Sequence, residues 1–119
     1  MTARLFVYGT LAPGRDAWPV LAPWATGTPQ EDRVAGVLYD TGRGYPAAVF
    51  DEDGAVHGYV VELDAARAAE ALVALDRYEG SEYERITVRT ANGVEVATYA
   101  WIAPLQGCRA VAGGRWDRG

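Results

Sequence analysis

At 119 residues, half of them apolar, the chain has the length of one domain (1–119) and the material for a real core, able to bury roughly two-thirds of its unfolded surface. Its net charge of −5 argues against a nucleic-acid backbone or an anionic membrane surface as a partner. All 11 basic residues are arginine, which rules out a lysine Schiff base, and the single cysteine rules out an internal disulfide.

Other chemistries are poorly supplied. The one serine, Ser81, lacks the setting of a nucleophile elbow, and one histidine with one cysteine is too little for a Cys/His zinc site. A thiol–imidazole pair would need His57, in a strand-like run, to meet Cys108, in a loop. No run approaches the about 18 apolar residues of a membrane span, and Met1–Leu5 leads straight into a strand-like segment, so no leader is expected. The lone cysteine fits a reducing compartment, and the expected location is the cytoplasm. Carboxylates and backbone amides must therefore carry any catalysis, with no metal or cofactor expected.

In chain order, Arg4 to Tyr8 is rich in Leu, Phe and Val and reads as a buried strand closed by Gly9. From there to about Gln30 the chain reads as loop, punctuated by Pro13, Pro19, Pro23 and Pro29, with a turn of helix near Asp16 to Leu21. Trp18 and Trp24 need packing, which makes this segment a candidate lid or pocket wall. Strand-like runs follow at Val34 to Tyr39, Tyr45 to Phe50 and Val56 to Leu63, with Asp51-Glu52-Asp53-Gly54 expected as a hairpin between the last two. A helix is expected over Asp64 to Tyr78, with Asp64 as N-cap and Gly80 just past its end. Tyr83 to Thr90 and Val94 to Ile102 flank Asn92-Gly93, a strong two-residue hairpin signal. The tail, Gly113 to Asp117, is flexible by composition, with Trp116 as a docking point. Mostly strand with one principal helix, this order predicts an α+β fold: a small mixed, mainly antiparallel β-barrel.

Glu79 is the residue out of place. At about 100° per residue, Ala68, Leu72, Leu75 and Glu79 share one helical stripe, while Arg67, Glu70 and Arg77 lie on another side. The apolar stripe should face the core, which aims a carboxylate at it and should raise its pKa. Such a cost is tolerated chiefly where an acid or base is useful, although a frayed last turn would turn Glu79 to solvent. Three other patterns fail on their chemistry. Gly9 to Gly14 has phosphate-loop glycine spacing but is followed by Arg15-Asp16 instead of Lys-Ser/Thr. Asp51 and Asp53 open like a calcium loop, yet Gly54 comes too early. Gly42-Arg43-Gly44 is too short for a dinucleotide site.

Two segments, in order, resemble the signatures of the gamma-glutamylcyclotransferase-like family. Tyr8-Gly9-Thr10-Leu11 is similar to its Tyr-Gly-Ser/Thr-Leu motif, and Leu75-Asp76-Arg77-Tyr78-Glu79-Gly80 followed by Tyr83-Glu84-Arg85 to its Leu-Asp-x-x-Glu-Gly…Tyr-x-Arg motif. Between them, Tyr45-Pro46-Ala47 and Val56-His57-Gly58 resemble its Tyr-Pro-Ala and Val-x-Gly strands, so the likeness spans roughly residues 4 to 102. The resemblance implies a small mixed barrel with a helix alongside. It also implies Glu79 as catalytic acid/base and Tyr8, Gly9, Thr10 and Leu11 as the loop holding the gamma-glutamyl part of a small-molecule substrate. Tyr45, Tyr83 and Tyr99 are candidates to line the pocket, the alternative being ordinary strand aromatics with polar tips. Arg85 is either part of that motif's function or a partner for a surface acid. Three readings remain open: a cyclotransferase releasing 5-oxoproline, a hydrolase using Glu79 to activate water, and a ligand-binding or interaction domain without turnover.

Overall fold

The computed structural model describes residues 3–117. Six strands form one mixed sheet, curled into a half-barrel with two helices. The strands are β1 (Arg4–Val7), β2 (Ala25–Asp40), β3 (Pro46–Leu63), β4 (Tyr83–Arg89), β5 (Glu95–Trp101) and β6 (Arg109–Ala110). The helices are α1 (Trp18–Leu21) and α2 (Ala68–Glu79). Across the sheet the order is β4-β5-β1-β3-β2-β6. All neighbours are antiparallel except β1 and β5.

β1 sits in the middle and is buried on both faces, which is why it reads as an unbroken apolar run. Leu5 and Val7 point to one face, where Leu21, Val61, Leu63, Ala71, Leu75 and Tyr99 join them under the two helices. Phe6 and Tyr8 point to the other, packing with Val34, Leu38, Phe50, Val56, Val60, Val96 and Trp116. Gly58 lies where a Cβ would collide with the Val7 carbonyl, so β1 and β3 approach closely only because that side chain is missing.

Three expected boundaries are corrected. The chain from Pro46 to Leu63 is one long strand rather than a hairpin, because both halves pair with β2. Ala35 faces Ala55 and Gly36 faces Phe50, so residues 51–54 loop out as an exposed bulge, with positive φ at Asp51 and Gly54, and the strand resumes in the same direction. The loop expected to reach Gln30 ends at Trp24. β2 starts at Ala25 and tolerates Pro29 at a register irregularity between Thr26 and Gln30, where the missing N–H costs no ladder bond. The tail is ordered by packing: Trp116 is buried in the second core, its carbonyl accepts from Arg15 at 2.6 Å, and Arg109–Ala110 add a short edge strand to β2.

The helix follows its local chemistry. The Asp64 carboxylate accepts from the Ala66 N–H at 3.1 Å, a 3-10 turn over Ala65–Arg67 leads in, and α2 runs one residue further than expected, through Glu79. Gly80 ends it at φ 82, a conformation costly for other residues, and donates to the Asp76 carbonyl at 3.1 Å. No helix among the described residues is long and apolar enough to cross a membrane.

Candidate active site

At the C-terminal end of β1 the chain leaves the sheet in a compact turn. Ala12 N–H donates to the Gly9 carbonyl at 3.0 Å, Arg15 N–H to the Ala12 carbonyl at 3.0 Å and Ala17 N–H to the Thr10 carbonyl at 2.9 Å. The N–H groups of Gly9, Thr10 and Leu11 take no part in these bonds, and all three residues line a cavity of about 590 Å³. That volume is ample for a small molecule. Pro46, at the start of β3, packs so tightly on Gly9 that a Cβ there would lie 2.6 Å from the proline Cγ. Only glycine lets the turn rest on this wall.

α2 delivers Glu79 to the same cavity. The helical stripe is real: Ala71 and Leu75 are fully buried beneath it, and Glu79 follows one turn beyond Leu75. Among the described residues no hydrogen bond or ion pair engages the Glu79 carboxyl. Burial pushes it up to about 7, so protonated and ionised forms coexist near neutrality.

Tyrosines make up much of the remaining wall. Tyr8 donates its hydroxyl to the Tyr99 carbonyl, Tyr83 to the Pro46 carbonyl at 2.6 Å and Tyr99 to Asp76 Oδ1 at 2.7 Å. Their protons are thus committed to the scaffold, while the phenol oxygens keep lone pairs for accepting. Burial raises all three pKa values, with the nearby Glu79 carboxyl adding to the rise at Tyr8, Tyr83 and Tyr99, so these phenols stay neutral. Tyr45 stands at the rim, its hydroxyl 3.4 Å from Glu82 and the Arg43 guanidinium 5.1 Å over its ring.

Every sequence candidate for substrate contact, Tyr8, Gly9, Thr10, Leu11, Tyr45 and Tyr83, borders this one cavity together with Glu79, as does Tyr99. Arg85 does not; it pairs with Asp76 at 3.1 Å on the outer side. His57 and Cys108 stand in different surroundings, the first near Arg33, Arg115 and Glu31, the second near Arg43 and Tyr45. The segment expected as a lid or pocket wall does contribute to it, through Asp16, Ala17 and Val20 of α1 and its approach, while Trp18 and Trp24 pack elsewhere. Sequence reasoning missed Glu82, which the Arg43 guanidinium binds at 2.9 Å. Proximity to Glu79 in the chain was the only signal for Glu82. Among the described residues no group of three His, Cys, Asp or Glu side chains could hold a metal ion.

Residues 5–118 match the model of the family described as "Gamma-glutamyl cyclotransferase, AIG2-like", and the chain belongs to that family. It is 44% identical over 66 residues to AIG2-like protein A of Arabidopsis thaliana, a match covering 51% of this chain and 38% of that protein. The fold is similar to that of YkqA from Bacillus subtilis (TM-score 0.74, 26% identity, 98% of this chain and 40% of that one). It is also similar to ytfP from Escherichia coli in solution (TM-score 0.64, 34% identity, 95% of each chain). The chain thus spans well under half the length of the first two relatives and nearly all of the third.

Proposed function

We propose that this protein is a cofactor-independent gamma-glutamyl cyclotransferase that releases 5-oxoproline from a small gamma-glutamyl amine or peptide. The observation that carries the reading is an unpaired, half-buried Glu79 carboxyl that borders the same small-molecule-sized cavity as a glycine turn with donor N–H groups. The substrate supplies its own nucleophile. Its alpha-amine attacks the gamma-carbonyl, forming a C–N bond and a five-membered ring; Glu79 takes the amine's proton and returns it to the departing nitrogen as the old C–N bond breaks. No water is consumed. The amides of Gly9, Thr10 and Leu11 hold the glutamyl group and stabilise oxyanion charge, and Tyr8, Tyr45 and Tyr83 complete the pocket. Because ring closure is intramolecular, folding the glutamyl chain correctly supplies much of the rate. The partner is a small molecule, and the cytoplasm, which keeps Cys108 reduced, is the compartment that suits it.

The test is product analysis after incubating wild type and Glu79→Gln with a panel of gamma-glutamyl amines and dipeptides. The expected result is 5-oxoproline from wild type alone. Free glutamate instead of 5-oxoproline would establish hydrolysis, and binding without conversion of any member would leave a ligand-binding domain.

A further inference from the structure

Ala71 and Leu75 seat α2 on the sheet through apolar contacts, which are non-directional and leave rotation about the helix axis loosely set. Glu79 is in the last turn, where a modest rotation would carry its carboxyl from the cavity to solvent. A directional restraint sits three residues earlier. Asp76 Oδ1 accepts the Tyr99 hydroxyl at 2.7 Å, and Arg85 Nη1 reaches the same carboxylate at 3.2 Å to Oδ1 and 3.1 Å to Oδ2. Tyr99 belongs to β5 and Arg85 to β4, so one side chain ties the end of the helix to two adjacent strands. The Asp76 carbonyl closes the turn that contains Glu79 by accepting from Gly80. Tyr99 in turn accepts, at its carbonyl, the hydroxyl of Tyr8, which opens the glycine turn.

We infer that Asp76 is the positioning residue for Glu79: gripping Tyr99 and Arg85, it sets the rotation of the last helical turn and keeps the carboxyl aimed into the cavity. The inference rests on the proposed role of Glu79 and deepens it. Side chains of Arg85 and Asp76 are 36% and 44% exposed, and ion pairs so placed add little stability, so loss of the grip should be read in geometry rather than in unfolding.

The deciding experiment needs no substrate. The Glu79 side-chain carboxyl is titrated by ¹³C NMR in wild type, Asp76→Ala, Asp76→Asn and Tyr99→Phe, with amide spectra checking the fold. Titratable neighbours in the cavity are Tyr8 just after β1, Asp16 from the approach to α1, Tyr45 just before β3, Tyr78 from α2, Glu82 from the α2–β4 link, Tyr83 from β4 and Tyr99 from β5. The Asp76 variants leave all of them in place. Wild type should titrate near 7, and Asp76→Ala and Tyr99→Phe should fall by about one unit or more as the carboxyl reaches water. Asp76→Asn keeps an oxygen for the Tyr99 hydroxyl and should stay near wild type. It also loses the same charge as Asp76→Ala, so the difference between them reads position and not charge. Should Asp76→Ala fail to fold, Tyr99→Phe, which deletes one hydroxyl, carries the test alone. Wild-type titration in Asp76→Ala or Tyr99→Phe, or an equal fall in Asp76→Asn, would overturn the inference. In the turnover assay kcat should drop about 10- to 100-fold in Asp76→Ala, with KM little changed and most of the rate retained in Asp76→Asn. A wild type without turnover on any panel member sinks the cyclotransferase reading, and the titration still decides the role of Asp76.

Discussion

Glu79 carries two opposite demands, and both can be measured. As a base it must be ionised, so kcat/KM should rise with pH through an inflection near 7 that vanishes in Glu79→Gln, along with about 10²- to 10⁴-fold of the rate. As a buried group it prefers its proton. Its folded pKa of about 7 lies above the ordinary value of 4.5, so its contribution to stability is complete below that value and lost as pH rises through 7. Glu79→Gln should therefore be more stable than wild type at pH 8, by on the order of 1–3 kcal/mol, with the gap closing toward pH 4. Equal melting temperatures at pH 8 would mean that the carboxyl is solvated.

At the scale of elements, the turn after β1 and the ends of α2 separate function from stability. Gly9→Ala puts a methyl group into Pro46, and overpacking of that kind costs about 1–3 kcal/mol. Relief requires the turn to move off the cavity wall, so KM should rise together with the loss of stability, both read on the same preparation. Asp64 caps the 3-10 turn that leads into α2, at the opposite end from Glu79. Asp64→Ala should cost about 1 kcal/mol in urea unfolding and leave turnover unchanged. A large loss of activity in that variant would show that fraying spreads along the helix to the site.

For the whole molecule, the C-terminal segment closes the second core. Trp116 packs among residues of β1, β2, β3 and β5, and its carbonyl accepts from Arg15, which follows the glycine turn. Trp116→Ala should cost about 3–5 kcal/mol, measured by chemical unfolding, as expected for emptying a large aromatic site. Gly114, pressed against the Ala55 carbonyl, lets this segment cross β3. The tail thus contributes to the fold as well as following it.

Local chemistry was legible wherever a residue's neighbours in the chain set its state. β1 showed as an apolar run, α2 as a stripe with Asp64 before it and Gly80 after it, and the β4–β5 hairpin through Asn92-Gly93. The turn of that hairpin closes between Thr90 and Val94, with positive φ at Gly93 and not at Asn92, rather than as a two-residue turn. Glu79 stood out because a helix places residues three and four apart on one face, so a carboxylate in an apolar stripe is visible without coordinates. Partners distant in sequence were not legible. The run Asp51–Gly54 has every local mark of a hairpin, and only the length of β2, which pairs with both flanking halves, makes it a bulge. The same holds for Glu82 and the Asp76–Tyr99–Arg85 grip, whose members lie on different elements. The sequence by itself determined which groups have acid–base or hydrogen-bonding chemistry and which local elements hold them. The tertiary structure decided which of them face one another, because strand pairing and burial depend on contacts between segments that no local pattern encodes.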